Sequence, residues 1–116
     1  MSAHSDLLRE LVARFNQRQP IDVARYFAPN FQLDQPGGEN RIGLAGAQSM
    51  IDSLYRLGDS VQLHIVAMIE QGDYLAVRWH VEGSPEAAGA MIGMYRFESG
   101  RIADDWGLAV HAQWRS

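Results

Sequence analysis

VQLHIVAMIEQGDYLAVRWHVEG, residues 61–83, is where the periodicity of the chain changes from helical to extended. Val61, Leu63, Ile65, Ala67 and Ile69 share one face of its first half. Gln62, His64, Val66, Met68 and Glu70 share the other. Gln71-Gly72-Asp73 reads as a turn. After it, Leu75, Val77, Trp79 and Val81 face one way, and Tyr74, Ala76, Arg78, His80 and Glu82 the other. Two antiparallel strands follow, each with a face that needs a covering layer.

Downstream, residues 83–90 (GSPEAAGA) form a loop of small residues, and Ile92–Glu98 and Arg101–His111 read as strands joined by a tight hairpin at Ser99-Gly100. Upstream, Leu7, Leu8, Leu11, Val12 and Phe15 make one apolar stripe, which predicts a helix over 5–18 with Ser5 as its cap. Asp22 starts a short helix carrying Val23, Tyr26 and Phe27, and Pro29-Asn30 ends it. Phe31–Gln35 alternates as a short strand closed by Pro36-Gly37-Gly38. Residues 46–57 give a third helix with Met50, Ile51, Leu54 and Tyr55 on one face, and Gly58 sits where a left-handed C-cap belongs. The order is helix, helix, strand, helix, then four antiparallel strands. This is an α+β domain spanning 1–116, with helices on one face of a sheet.

The bulk properties exclude several classes. All ten basic residues are arginines, scattered singly in a chain of net charge −4, so no basic stripe exists for nucleic acid. The apolar runs are far too short to span a membrane, and the N-terminus lacks the basic and apolar regions of a signal peptide. There is no Cys, hence no disulfide, thiol nucleophile or thiolate metal site. A cytoplasmic location is the default expectation. No glycine-rich phosphate loop is present, and neither a cofactor nor a metal is expected.

The element order and three segments, FNQRQPIDVARYFAPNF, GDYLAVRWHVEG and YRFESGRIADDW, resemble the SnoaL-like and ketosteroid isomerase-like families of the nuclear transport factor 2-like superfamily. The resemblance covers residues 6–111. It implies a cone-shaped, strongly curved, mostly antiparallel sheet (the cystatin-like fold) against three N-terminal helices, enclosing an apolar pocket. Relatives with this fold include isomerases, cyclases, dehydratases, hydrolases and non-catalytic binding domains, and many pair through the outer sheet face. Residues of the family's mechanisms are replaced here. Phe15 stands where ketosteroid isomerases carry a Tyr oxyanion donor, Gln35 where they carry the general-base Asp, and Gly93 where they carry a protonated Asp. Gly107 and Val110 stand where the cyclases carry acidic residues. These replacements argue against both mechanisms in their usual form.

The resemblance turns Asp105, Gly107 and Ala109 inward on the last strand, and Gly93, Tyr95 and Phe97 on its neighbour. The expected pocket has three polar groups, Gln35, Tyr95 and Asp105, and expected ligand contacts at Phe15, Tyr26, Phe31, Gln35, Tyr55, Trp79 and Gly93. Asp105 is the candidate general base, since an apolar pocket raises a carboxyl pKa into a useful range. The competing reading leaves Asp104 and Asp105 solvated at the sheet edge. Tyr95 is either an oxyanion donor or a core aromatic with a satisfied hydroxyl. Gln35 either orients a carbonyl or caps the turn before Pro36. Trp79 is a ligand wall or a core residue. His64 and His80 fall on the polar face and read as surface or dimer-face residues; no third ligand is spaced to complete a metal site with them. The outward Val66, Met68, Ile92 and Met94 make an apolar outer surface that points to a homodimer. Two functions follow: binding of a small apolar molecule with proton-transfer catalysis by Asp105 and Tyr95, or a non-catalytic ligand-binding or interaction domain.

Overall fold

The computed structural model describes residues 2–34, 41–83 and 89–110. The elements run α1 (Ala3–Asn16), α2 (Val23–Tyr26), β1 (Phe27–Asp34), β2 (Arg41–Ile42), α3 (Gly43–Tyr55), β3 (Gln62–Gln71), β4 (Tyr74–Glu82), β5 (Gly89–Glu98) and β6 (Arg101–Val110). They build a curved, unclosed six-stranded sheet in the order β2-β1-β6-β5-β4-β3, its concave face covered by the helices. Every pairing is antiparallel except β1 with β6, which is parallel.

Helix α1 starts earlier than the apolar stripe implies. Ser2, not Ser5, is its N-cap: the Ser2 side chain accepts from the Ser5 amide, and the Ser5 hydroxyl accepts from the Ser2 amide. Such a reciprocal cap is worth about 1 kcal/mol. The helix ends in a Schellman turn in which Arg18 holds the left-handed position, φ 56°, usually given to glycine. What offsets that strain is visible in the side chain. The Arg18 guanidinium donates to the carbonyls of Gly58, Asp59 and Val61 at 2.9–3.1 Å and lies over the rings of Phe15 and Tyr55. It therefore fastens the end of α1 to the α3–β3 connection. Beside it, the Asn16 side-chain amide both donates to and accepts from the backbone of Leu63, each at 2.9 Å.

Several sequence expectations shift. Phe27 opens β1 instead of closing α2: it is the C-cap residue of that helix and its backbone is already extended, φ −118° and ψ 141°. Gly58 has φ 142°, a glycine conformation but not the left-handed cap. In β3 the alternation breaks: Ile65 pairs with Trp79 but Ala67 pairs with Arg78, so Val66 is the extra residue of a β-bulge. Beyond it the faces exchange. Met68 packs against the core and Ile69 is 73% exposed, the reverse of uninterrupted alternation. The hairpin at Ser99-Gly100 forms as expected, with both residues at positive φ (51° and 80°), as a type I′ turn requires. Among the described residues, no helix is long and apolar enough to cross a membrane.

Candidate functional site

A cavity of about 130 Å³ lies between the concave sheet face and the helices. Its roof is the apolar stripe of α1, chiefly Leu11, Val12 and Phe15, and of α3, chiefly Met50 and Leu54. Its floor is the inner sheet face, where Trp79, Tyr95 and Asp105 supply the polar groups.

The register explains how these groups meet. Leu75 on β4, Tyr95 on β5, Asp105 on β6 and Leu33 on β1 lie in one row across the sheet. The next inward row is Val77, Gly93 and Gly107. The two glycines leave a bare strip, and the Tyr95 ring lies down over Gly93. A Cβ on Gly93 would meet the Tyr95 hydroxyl at 2.5 Å, closer than side-chain packing tolerates. There the hydroxyl accepts a hydrogen bond from Trp79 Nε1 at 2.8 Å, with the two rings edge to face. That bond takes up an oxygen lone pair, so the O–H proton is left as the donor.

Asp105 is brought inward by a second bulge. Arg96 pairs with Asp104 and Phe97 with Ile102, so Ala103 is the unopposed residue. Ile102 and Asp105 both face the core, which strict alternation forbids for residues three apart. Asp104 instead pairs with Arg96 on the other side of the sheet. Burial, with the side chain held in an apolar lining, pushes the Asp105 carboxyl up to about 7. Tyr95 is raised well above the usual phenol range, first by burial and then by the neighbouring Asp105 charge.

The expected contacts divide. Phe15, Trp79, Tyr95 and Asp105 line the cavity. Tyr26 does not: it is buried, and its hydroxyl donates to Glu10 Oε2 at 2.5 Å, which with the Arg25 guanidinium holds the Glu10 carboxyl down at about 2. Phe31 packs edge-on against Phe27 within the core, and Phe27 takes the wall position. Tyr55 stacks on Phe15 at 4.8 Å and so backs the wall without forming it. Gly93 is covered by Tyr95 and acts by leaving room. Gln35 and His111 lie outside the described residues. His64 and His80 stack at 6.1 Å on the outer face, with His64 Nε2 2.6 Å from Glu82. Among the described residues no three His, Cys, Asp or Glu side chains group as metal ligands. Ile21 and, apart from Phe15, the roof residues of α1 and α3 were not among the expected ligand contacts. Their signal was present as the apolar stripes, which do not distinguish a helix that fills a core from one that roofs a cavity.

A concave sheet roofed by helices is the nuclear transport factor 2-like fold, and here it surrounds an apolar cavity with Asp105 as the one carboxyl of the described lining. The family model described as the SnoaL-like domain matches residues 8–105, and the chain belongs to that family. No curated protein matches the sequence. Among solved structures, a candidate polyketide cyclase from Sinorhizobium meliloti superposes with a TM-score of 0.76 at 16% identity, covering 93% of this chain and 100% of that one. IdmH from Streptomyces antibioticus, also named as a candidate polyketide cyclase, gives 0.75 at 19% identity over 90% of each chain. TerC, crystallised with polyporic acid, gives 0.77 at 16% identity, covering 97% of this chain and 95% of its own. At these identities the likeness is one of fold.

Proposed function

We propose that this SnoaL-like protein binds a small, largely apolar carbonyl compound in the cavity and catalyses proton transfer on it, as an isomerase or cyclase does. The observation that carries the reading is Asp105: the one carboxyl of the described lining, turned by a bulge into an otherwise apolar cavity, beside a tyrosine hydroxyl held by Trp79. The cyclase names attached to two structural relatives support the same class of chemistry.

In this mechanism the Asp105 carboxylate takes a proton from the carbon next to the carbonyl. The C–H bond breaks and its electron pair moves onto the carbonyl oxygen, where the Tyr95 hydroxyl donates a hydrogen bond to the developing enolate. The Trp79 bond to the tyrosine oxygen keeps the donor aimed. The carboxylic acid then returns its proton to the same or a conjugated carbon, giving an isomer. In a cyclisation the enolate carbon attacks a second carbonyl of the same molecule, and the acid protonates the new alkoxide. A symmetric homodimer through the outer sheet face is part of this proposal.

The test is deuterium uptake at the α-carbon of small ketones in D2O, followed by NMR. The wild-type rate should rise with pH and level off above about 7, because Asp105 must be ionised to act as the base. Asp105→Asn should lose about 100-fold or more, the size of a general-base contribution, while its circular dichroism stays unchanged. Equal rates in the two proteins would remove Asp105 from the mechanism and leave a binding domain.

A further inference from the structure

Cavity size and the charges in its wall narrow the ligand class. The volume of about 130 Å³ equals roughly four waters of bulk liquid, and a cavity of about 150 Å³ in another protein holds one benzene. No arginine reaches the described lining, and its one carboxyl, Asp105, is anionic when ionised. An anionic ligand would leave water to face a like charge with no cation to compensate it. The polar groups also sit together. Tyr95 and Asp105 are directly opposed on β5 and β6, while the α1 and α3 roof offers only hydrocarbon and the Phe15 ring. A ligand therefore has one polar end, against the sheet, and an apolar body against the helices.

We infer that the cavity takes a monocyclic, uncharged molecule with an oxygen function placed at Tyr95 and Asp105, and that it rejects fused-ring compounds and carboxylates of the same size. The orientation at Tyr95 and Asp105 rests on the proton-transfer reading above; the limits on size and charge rest on the cavity alone.

The experiment compares three probes that share a skeleton: benzaldehyde, 1-naphthaldehyde and benzoate. Their dissociation constants are read at pH 8.5 by ligand-observed NMR on the full chain. Benzaldehyde should bind best. Naphthaldehyde should be weaker by about tenfold or more, the cost of overpacking a fixed volume. Benzoate should be weaker by about 100-fold, as expected of an unpaired anion brought beside a carboxylate.

Two variants separate the causes. Met50→Ala shortens a roof side chain on α3 and should recover about tenfold for naphthaldehyde relative to benzaldehyde. Asp105→Asn should narrow the benzoate penalty and leave the size order intact. Naphthaldehyde binding as tightly as benzaldehyde in the wild type, benzoate binding as tightly as benzaldehyde, or no probe binding at all would each overturn the inference. Benzaldehyde has no α-proton, so its binding is independent of turnover. If it binds as described while no ketone exchanges deuterium, the catalytic reading fails and the ligand class stands. If larger ketones exchange while benzaldehyde does not bind, the ligand class fails and the catalytic reading stands.

Discussion

Burying the Asp105 carboxyl moves its proton equilibrium from an ordinary 3.8 to about 7, and folding must bear that difference. Because the folded pKa is raised, the native state holds the proton more tightly than the unfolded chain between those two values. The Asp105 contribution to stability is then greatest below about pH 4, falls as pH rises through 7, and levels off above it. The whole step is on the order of 4 kcal/mol. Urea midpoints should trace this decline in the wild type, and Asp105→Asn should flatten it, being more stable than the wild type at pH 8. A variant as pH-sensitive as the parent would mean that the carboxyl is solvated. The sequence held half of this. It showed a carboxylate in an apolar strand beside Tyr95, and the family resemblance turned it inward. It did not show what Trp79 does for Tyr95, since that bond depends on Gly93 leaving room for the tyrosine ring.

At the scale of elements, local chemistry was legible where the period was clean. The β3–β4 turn, the β5–β6 hairpin and the stripes of α1 and α3 follow from residue spacing alone. The two bulges did not, because inserting one residue changes no composition and leaves alternation intact on either side of it. On β3 the bulge at Val66 exchanged Met68 for Ile69 on the outer face. On β6 the bulge at Ala103 decides the site. The parallel pairing of β1 with β6 depends on contacts distant in sequence, beyond the reach of a periodicity, and β2, with two residues, is too short to show one. Deleting Ala103 removes the extra residue and leaves Ile102 and Asp105 two apart, so plain alternation should keep both on the core face. A carbon-13 titration of the Asp105 carboxyl should then stay at about 7, with α-proton exchange retained. A deletion variant whose carboxyl falls to the usual carboxylate range, about 4, would show that strand register is not what places it in the cavity.

For the molecule as a whole, the outer sheet face is the surface left without a covering layer. Ile69, Ala76, Met94 and Trp106 stand in one row across β3, β4, β5 and β6, with Ile92 beside them and Tyr74 stacked on Trp106. Arg96, Asp104 and Glu98 border this band on one side, and His64 and Glu82 lie toward the other, the arrangement of an apolar centre with a polar rim. On the homodimer proposed above, sedimentation should give twice the chain mass for the wild type. Ile92→Glu, which places a charge in that centre, should shift it to the single chain with the cavity chemistry intact. A wild type that sediments as one chain at millimolar concentration would end the dimer proposal.

The Asn16 amide has a consequence for how such chains can meet. β3 is the long edge strand of an open sheet, with a row of backbone groups of the kind that recruits strands from other molecules. Asn16 occupies both backbone groups of Leu63, Arg18 occupies the carbonyl of Val61, and the bulge at Val66 throws the remainder out of step. A side chain thus stands in for a neighbouring strand, and lateral growth into fibres is blocked at its starting point. Two copies can still stack face to face without either offering the other an edge to polymerise on.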